Sequence, residues 1–108
     1  MNEEQALSAF AALSNATRLR MLKVLVTAGA EGRCAGDMAE AVGASPSRAS
    51  FHLTCLAKAG LVSSSQSARE VIYRAEFGEI GALVRYFLDD CCAADTQIRA
   101  CCVNGVGC

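Results

Sequence analysis

Two helical segments joined by a short turn are the feature that most constrains the fold of this chain. Apolar residues recur at helical spacing over residues 35–42, and Gly43 ends that segment. Ser45 at an N-cap position and Pro46 at the first helical position then start a second helix that runs to residue 59. Two helices connected in this way are the pattern of a helix-turn-helix.

A β-hairpin is predicted directly after these helices. Residues 61–63 and 71–74 have the composition of two short strands, and the polar sequence SSQSAR between them is expected to form the tip of the hairpin. Helices followed by such a hairpin predict a winged helix-turn-helix, which is a mainly α fold with a small β-hairpin.

Helices are also predicted before this unit. An amphipathic helix over residues 4–13 has three apolar residues on one face, Leu7, Phe10 and Leu13. Either Ser14 or Asn15 can cap a second helix. The apolar positions of that second helix are Leu19, Leu22, Leu25 and Val26.

A last helix starts near Gly78 and carries a continuous apolar stripe. Its members occur at helical spacing and are Ile80, Leu83, Val84, Phe87 and Leu88. Cys91 falls on the same stripe. One face of this helix is therefore expected to be fully apolar.

The length of the chain, 108 residues, allows one small domain and is too short for two. Its hydrophobic fraction of 53% excludes a disordered chain. No apolar run approaches the roughly 20 residues that span a bilayer, and the N-terminus lacks the basic start and apolar run of a signal peptide. We therefore predict a winged-helix domain over residues 1–92, a cysteine-rich tail over residues 93–108, and no membrane partner.

Charge is distributed unevenly along the chain, although the net charge is only −1. Residues 14–75 hold eight basic and four acidic side chains, whereas residues 76–108 hold two basic and five acidic ones. No acidic residue occurs between residues 41 and 69. Because phosphate contacts depend on local potential, such a surface can bind nucleic acid, and a chance gap in the acidic residues is the alternative interpretation.

Six polar side chains are candidates for DNA contact, and they are Ser47, Arg48, Ser50, His52, Lys58 and Arg69. The serines can donate to phosphates or bases, Arg48 can bind a guanine edge or a phosphate, and the other two cations suit phosphates. His52 either contacts DNA or forms a hydrogen bond within the domain, and Phe51 is expected to pack against the first helices. Any one of the six, taken singly, can be an ordinary solvated side chain. Their shared position on a capped helix and its wing favours DNA binding.

Three stretches stand in an order and spacing typical of one protein family. They are LSNATRLRMLKVL (13–25), DMAEAVGASPSRASFHLTCLAKAGLV (37–62) and REVIYRA (69–75). Together they resemble the ArsR/SmtB family of metal- and metalloid-responsive repressors, over about residues 5–90. The resemblance implies a homodimer, joined through its first and last helices, that binds operator DNA and is released by a soft metal or metalloid. Its two recognition helices would lie about 34 Å apart, so an inverted-repeat operator is expected.

Seven cysteines occur in the chain, and five of them lie in the last eighteen residues. Disulfides that staple a small secreted domain would be even in number and spread along it. This clustered, odd set instead predicts a reducing, cytoplasmic setting. Cys34 and Cys55 are expected to be small packing residues or idle thiols, and Cys108 a tail thiol.

The resemblance also implies where a ligand would bind. Some members use a Cys-x-Cys-x-x-Cys run, which is not matched around Cys34, and others use histidines and carboxylates on the last helix, which this chain lacks. Arsenite-responsive members carry a vicinal pair at the end of the last helix and a third cysteine downstream. The matching thiols here are Cys91, Cys92, Cys101 and Cys102. The implied inducer is As(III), with Sb(III) as an alternative, and no organic cofactor is expected.

Thiol chemistry is compatible with this site. Adjacent cysteines on a rigid helix diverge by about 100°, so both can reach one ion only where the helix ends. Trivalent arsenic favours three thiolates, which Cys91, Cys92 and either Cys101 or Cys102 would supply. A ligand from the partner subunit stays open, and soft thiolates also suit copper(I).

Two other functions stay open on the residues alone. One is a redox-sensing repressor of the same fold, in which oxidation of the vicinal thiols releases DNA. The other is a thiol protein that sequesters metals or metalloids and does not bind DNA. An enzyme is not expected, because His52 has no evident catalytic partner.

Overall fold

The computed structural model describes residues 1–91 and 95–104, with the backbone alone at residues 91, 103 and 104. Six α-helices lie within these ranges, and they are α1 (Glu3–Leu13), α2 (Ala16–Ala28), α3 (Ala35–Val42), α4 (Pro46–Lys58), α5 (Phe77–Arg85) and α6 (Thr96–Asn104). The described part also contains three strands, and they are β1 (Arg33–Cys34), β2 (Val62–Ser67) and β3 (Glu70–Ala75). This mainly helical winged helix-turn-helix is the predicted fold class.

Local capping explains where the first two helices begin. Asn2 and Gln5 form a reciprocal capping box at the start of α1, with bonds of 2.8 and 2.9 Å. Asn15 caps α2, because its side chain accepts a hydrogen bond from the Arg18 backbone N–H at 3.1 Å. Ser14 instead ends α1, so of the two predicted caps the structure uses Asn15.

The turn between α3 and α4 follows the prediction from sequence. Gly43 adopts the left-handed conformation (φ 66°, ψ 33°) that ends α3. The Ser45 side chain accepts a hydrogen bond from the Arg48 backbone N–H at 3.3 Å, and Pro46 occupies the first turn of α4.

The sheet is antiparallel, with the strand order β1–β3–β2. The hairpin is longer than predicted, because Ser64–Ser67 pair with Glu70–Tyr73 and only two residues, Ala68 and Arg69, form the tip. The polar side chains in this stretch do not prevent strand pairing, because the hydrogen bonds between the paired strands are made by the backbone. Strand β1 was not predicted, since two residues carry no periodicity of their own.

The core is built from α1–α5 and the base of the hairpin. Its largest fully buried side chains are Met21, Leu25, Met38, Leu53, Leu56 and Leu61. The face of α1 that packs on the core is not the one that carries its large apolar residues, because Ala6, Ala9 and Ala12 are buried while Leu7 and Phe10 are 61% and 39% exposed. Alanine has no long side chain to hold neighbouring helices apart, so α1 packs closely through its small residues.

Helix α2 shows the same kind of difference from the predicted pattern. Met21, Leu22 and Leu25 are buried, whereas Leu19 and Val26 are exposed to solvent. The apolar residues of α2 therefore form two faces, and only one of them faces the core.

The C-terminal part departs most from prediction. The last long helix does not stay α-helical from Gly78 to Cys91: α5 ends at Arg85 and a π-helical segment covers Tyr86–Cys91. In a π-helix the hydrogen bonds run from i to i+5, so a stripe drawn with the α-helical period loses its register there. Helix α6 was not predicted either.

Helix α6 folds back against the segment that precedes it. The Asp95 side chain begins α6 by accepting hydrogen bonds from the backbone N–H groups of Gln97 and Ile98 at 2.9 and 3.1 Å. Arg99 of α6 donates to the Asp89 carboxylate in the π-helical segment. Among the described residues, no helix combines the length and apolar character needed to cross a membrane.

Candidate nucleic-acid interface and tail thiols

Helix α4 has one buried face and one exposed face. Its buried face holds Ala49, Leu53 and Leu56, each at 0% exposure. On the opposite side the predicted candidates Ser47, Arg48, Ser50 and Lys58 are all exposed. The buried face packs on the core, so the exposed face is accessible and could enter a DNA groove.

The N-terminal end of α4 is suited to an anion. Unpaired backbone N–H groups and the helix dipole give this end a partial positive charge. Arg48 adds a full charge within the first turn, and no acidic residue lies anywhere in α4. The serine hydroxyls and Arg48 therefore stand where phosphate or base acceptors could bind.

Phe51 lies on the exposed face of α4, and its predicted packing against the first helices is wrong. The side chain is 62% exposed. Its spacing from Ala49 and Leu53 places it opposite the buried stripe, which is the signal that could have identified it. Thr54 is also exposed on this helix, and its hydroxyl donates to the Ser50 carbonyl at 2.9 Å. An exposed phenyl ring on such a face can contact a thymine methyl group.

His52 points inward, in contrast to its neighbour Phe51. It is 7% exposed, and its Nδ1 lies 3.1 Å from Nη1 of Arg18 in α2. Because a guanidinium only donates, Nδ1 must accept, and the proton of the neutral ring lies on Nε2. Burial lowers the pKa of His52 below its ordinary 6.5, and the charges of Arg18 and Arg48 lower it further. These contacts support the predicted alternative in which His52 bonds within the domain.

The wing presents Arg69 at its tip. Arg69 is exposed, and the preceding Ala68 has a left-handed backbone (φ 54°) within the two-residue turn. Arg74 holds the middle of the hairpin, because its Nε donates to the Ala30 carbonyl and its Nη1 to the Ser65 hydroxyl, each at 2.8 Å. The wing is thus tied to the segment that follows α2, with Arg69 projecting at its end.

An apolar groove lies between α1, the end of the last long helix and α6. The rings of Phe10 in α1 and Phe87 in the π-helical segment meet edge to face, with centroids 6.0 Å apart. The groove has a volume of about 290 Å³, and its lining residues are Phe10, Leu83, Val84, Phe87, Leu88, Ile98 and Cys102. Two members of this groove therefore come from α6.

The predicted metalloid ligands are only partly within the described residues. Cys92 and the side chain of Cys91 lie outside them, while Cys101 and Cys102 lie on α6. Cys102 is a free, exposed thiol, and Cys101 is disulfide-bonded. Cys34 and Cys55 are half-buried free thiols. Within the side chains that the structure describes, no three His, Cys, Asp or Glu residues form a group that could hold a metal.

Comparison with known proteins identifies the family. The family model described as "Bacterial regulatory protein, arsR family" matches residues 15–64. An ArsR-like transcriptional regulator from Rhodococcus sp. RHA1 is 31% identical, with a TM-score of 0.73, and the match covers 90% of this chain and 89% of that one. No curated protein sequence matches the chain.

Two further solved structures are similar at about the same level of identity. NolR from Sinorhizobium fredii is 32% identical over 74% of this chain and 81% of that one, with a TM-score of 0.60. The AntR antimony-specific transcriptional repressor is 30% identical over 75% of this chain and 72% of that one, with a TM-score of 0.62. The capped α4, its wing and these matches agree, and the chain belongs to the ArsR family of bacterial transcriptional regulators.

Proposed function

We propose that this chain is a homodimeric repressor that binds an inverted-repeat operator and is released when As(III), or Sb(III), binds thiolates of its C-terminal cysteines. One observation carries the proposal: α6, which holds two of these cysteines, lines the apolar groove together with α1 and the end of the last long helix. A ligand that ties this tail can therefore act on the surface through which the dimer forms.

The DNA side of the proposal rests on α4 and the wing. Ser47, Arg48 and Ser50 approach phosphates and base edges, and Lys58 and Arg69 bind phosphates further along the duplex. Phe51 is added to this surface because of its exposure. His52 supports the surface from within the domain and does not contact DNA.

The dimer side rests on exposed apolar residues around the groove. Phe10, Val84, Phe87 and Ile98 are between 39% and 48% exposed although they are large and apolar. Contiguous exposure of this kind marks an interaction surface. A two-fold dimer through this surface would present two copies of α4 to successive turns of DNA.

The ligand side rests on thiol chemistry and on the short distance between the tail and the last long helix. The Asp89–Arg99 ion pair brings α6 back to the segment that carries Cys91. Trivalent arsenic favours three thiolates, and this return would allow Cys101 or Cys102 to join the vicinal pair. The 30% identical AntR is described as antimony-specific, which supports a metalloid of this group as the inducer.

The test follows DNA binding while the ligand is added. A duplex is first selected from a random pool by the reduced protein, and its release is then measured during titration with arsenite, antimonite and zinc. Arsenite should release the wild type, whereas a Cys91→Ser/Cys92→Ser variant should stay bound. A Cys34→Ser/Cys55→Ser variant is the matched control, because it also removes two thiols and should still respond.

The same titration assigns the third ligand and can contradict the proposal. Comparison of Cys101→Ser with Cys102→Ser should show loss of response in one of them, or in the double variant alone if they substitute for each other. Release of the Cys91→Ser/Cys92→Ser variant at the wild-type arsenite concentration would remove the assigned site. Failure of the wild type to select any duplex would favour a sequestering thiol protein.

A second function is favoured by the disulfide at Cys101. A disulfide is the expected oxidised form of a redox-sensing repressor, in which oxidation of the vicinal thiols releases DNA. A disulfide-forming oxidant such as diamide, added without any metalloid, would then release the duplex, and dithiothreitol would restore binding. Release by oxidant with no response to arsenite would select this function over the metalloid sensor.

A further inference from the structure

The side chain of Arg18 joins the first helix to the recognition helix. Arg18 lies in the first turn of α2, and its Nε donates to the carbonyl of Ala12 in the last turn of α1 at 2.6 Å. Its Nη1 donates to Nδ1 of His52 in α4 at 3.1 Å. One half-buried guanidinium therefore contacts two helices that are distant in sequence.

These two helices have different roles in the proposed function. Helix α1 carries Phe10 on the groove assigned to dimerisation, and α4 carries the residues assigned to DNA contact. The backs of both helices are held by the core, through residues such as Ala9 and Leu53, each at 0% exposure. The guanidinium adds a directional polar link to this apolar packing.

We infer that Arg18 is a positioning residue for DNA binding, which acts by linking the end of α1 to α4 through His52. The inference rests on the proposed function, because it assumes that α4 reads DNA and that α1 lies at the dimer face. The planar guanidinium fork fixes the direction of both hydrogen bonds. A displacement of the end of α1 is therefore transmitted through the side chain to α4. Arg18 is thus assigned a role without touching DNA.

The chemistry of the link explains the choice of residues. Neutral His52 accepts through Nδ1, and a side chain without an acceptor there would leave a guanidinium donor unpaired. Loss of the link should not unfold the domain, because Ala49, Leu53 and Leu56 still hold α4 to the core. The expected result is a folded protein in which the orientation of α4 is less well defined.

The experiment compares two arginines of the same helix. Arg18→Gln and Arg20→Gln each remove one positive charge from α2, but Arg20 is exposed and serves as the control. Affinity for the duplex selected by the wild type is measured at several salt concentrations, with folding checked by circular dichroism. Arg18→Gln should lower the affinity about tenfold with an unchanged salt dependence, while Arg20→Gln should change it by less than about twofold.

Salt dependence separates positioning from direct contact. A residue that neutralises one phosphate contributes about 0.9 to the slope of log affinity against log salt. A fall of that size in Arg18→Gln would mean that Arg18 binds DNA directly and would overturn the inference. An equal loss of affinity in Arg20→Gln would also overturn it, because the loss would then come from removing any positive charge from α2.

Variants of His52 test the link from its other end and guard against misfolding of the arginine variant. His52→Asn keeps an acceptor near the position of Nδ1 and should retain affinity within about threefold, whereas His52→Leu should lose about tenfold. The double variant Arg18→Gln/His52→Leu should be no worse than either single variant, since both remove the same link. Additive losses would contradict the inference. If the wild type selected no duplex at all, the proposed function itself would fail.

Discussion

Gly32 is a residue at which the backbone of this domain leaves no room for a side chain. Its φ of 69° lies in the region that favours glycine, and a Cβ atom there would overlap the Tyr73 carbonyl oxygen and lie 2.8 Å from Cγ of Arg74. Gly29 has a similar φ of 65°, but a Cβ atom there would meet nothing within 4 Å. Substitution of Gly29 would therefore introduce backbone strain alone, whereas substitution of Gly32 would introduce both strain and steric overlap.

We expect Gly32→Ala to destabilise the domain far more than Gly29→Ala. Strain alone should cost Gly29→Ala about 1–3 kcal/mol in free energy of unfolding. Gly32→Ala carries the same strain and must also displace β3 from the segment before β1, so it should lose at least about 2 kcal/mol more. Urea denaturation at matched protein concentration measures both, and equal losses would contradict the steric argument.

His52 makes the stability of the domain depend on pH. The pKa of His52 is lowered in the folded state, chiefly by burial, while the unfolded chain keeps an ordinary value near 6.5. The unfolded state therefore binds the proton more readily than the folded state. The stability that neutral His52 provides is fully present above pH 6.5 and is lost as the pH falls through the lower folded pKa. Because His52 is the one histidine of the chain, His52→Asn should abolish this part of the dependence.

Denaturation of both proteins between about pH 7.5 and 5.5 measures the difference, since most carboxylates stay ionised over that range. The wild type should lose stability more steeply than His52→Asn as the pH falls. Parallel curves would mean that His52 titrates alike in the folded and unfolded states.

At the scale of elements, the helix-turn-helix could be predicted from sequence because its signals are local. The Gly43 stop, the Ser45 cap and Pro46 act within one or two turns, and the structure uses all three. The buried stripe of α4 was equally predictable. The direction of His52 was not, because its partner Arg18 is 34 positions away in the sequence.

The elements that were missed depend on contacts rather than on local pattern. Strand β1 exists because Arg33 and Cys34 pair with β3. The core face of α1 was not identified from the sequence because it is made of alanines, which carry little weight in a hydrophobic pattern. The arrangement of Cys91 and Cys92 stays a prediction, and their candidate partners Cys101 and Cys102 lie on a helix that no sequence signal indicated.

The wing can be tested as an element through Arg69. If its tip follows a phosphate backbone, Arg69→Gln should weaken binding to all duplexes alike and reduce the salt slope by about one. Arg85 on α5 is exposed and lies outside the DNA surface, so Arg85→Gln is the control for loss of charge. A change in sequence preference with an unchanged slope would indicate that the wing reads bases instead.

At the scale of the whole molecule, the apolar groove must be covered if the chain is to bind DNA as proposed. A single small domain holds one recognition helix, and a second copy supplies the other at the spacing of one DNA turn. The groove residues are contributed by α1, the last long helix and α6, so a dimer through them would bring together the first helix, the tail and the DNA surface. In this arrangement, both operator binding and release by the ligand depend on the oligomeric state.

We therefore expect Phe87→Glu to separate the dimer without unfolding the subunit. Phe87 is 44% exposed, so the carboxylate of the substituted side chain is tolerated in the monomer. In the dimer the carboxylate would be buried without a partner. It should therefore raise the dimer Kd about a hundredfold or more, which is about 2.7 kcal/mol. Leu19→Glu is the control, because Leu19 is 53% exposed on α2 and lies away from the groove. Analytical ultracentrifugation gives both dissociation constants. Only Phe87→Glu should lose affinity for an inverted repeat while keeping weak binding to a half-site, and a dimer unaffected by Phe87→Glu would place the interface on another surface.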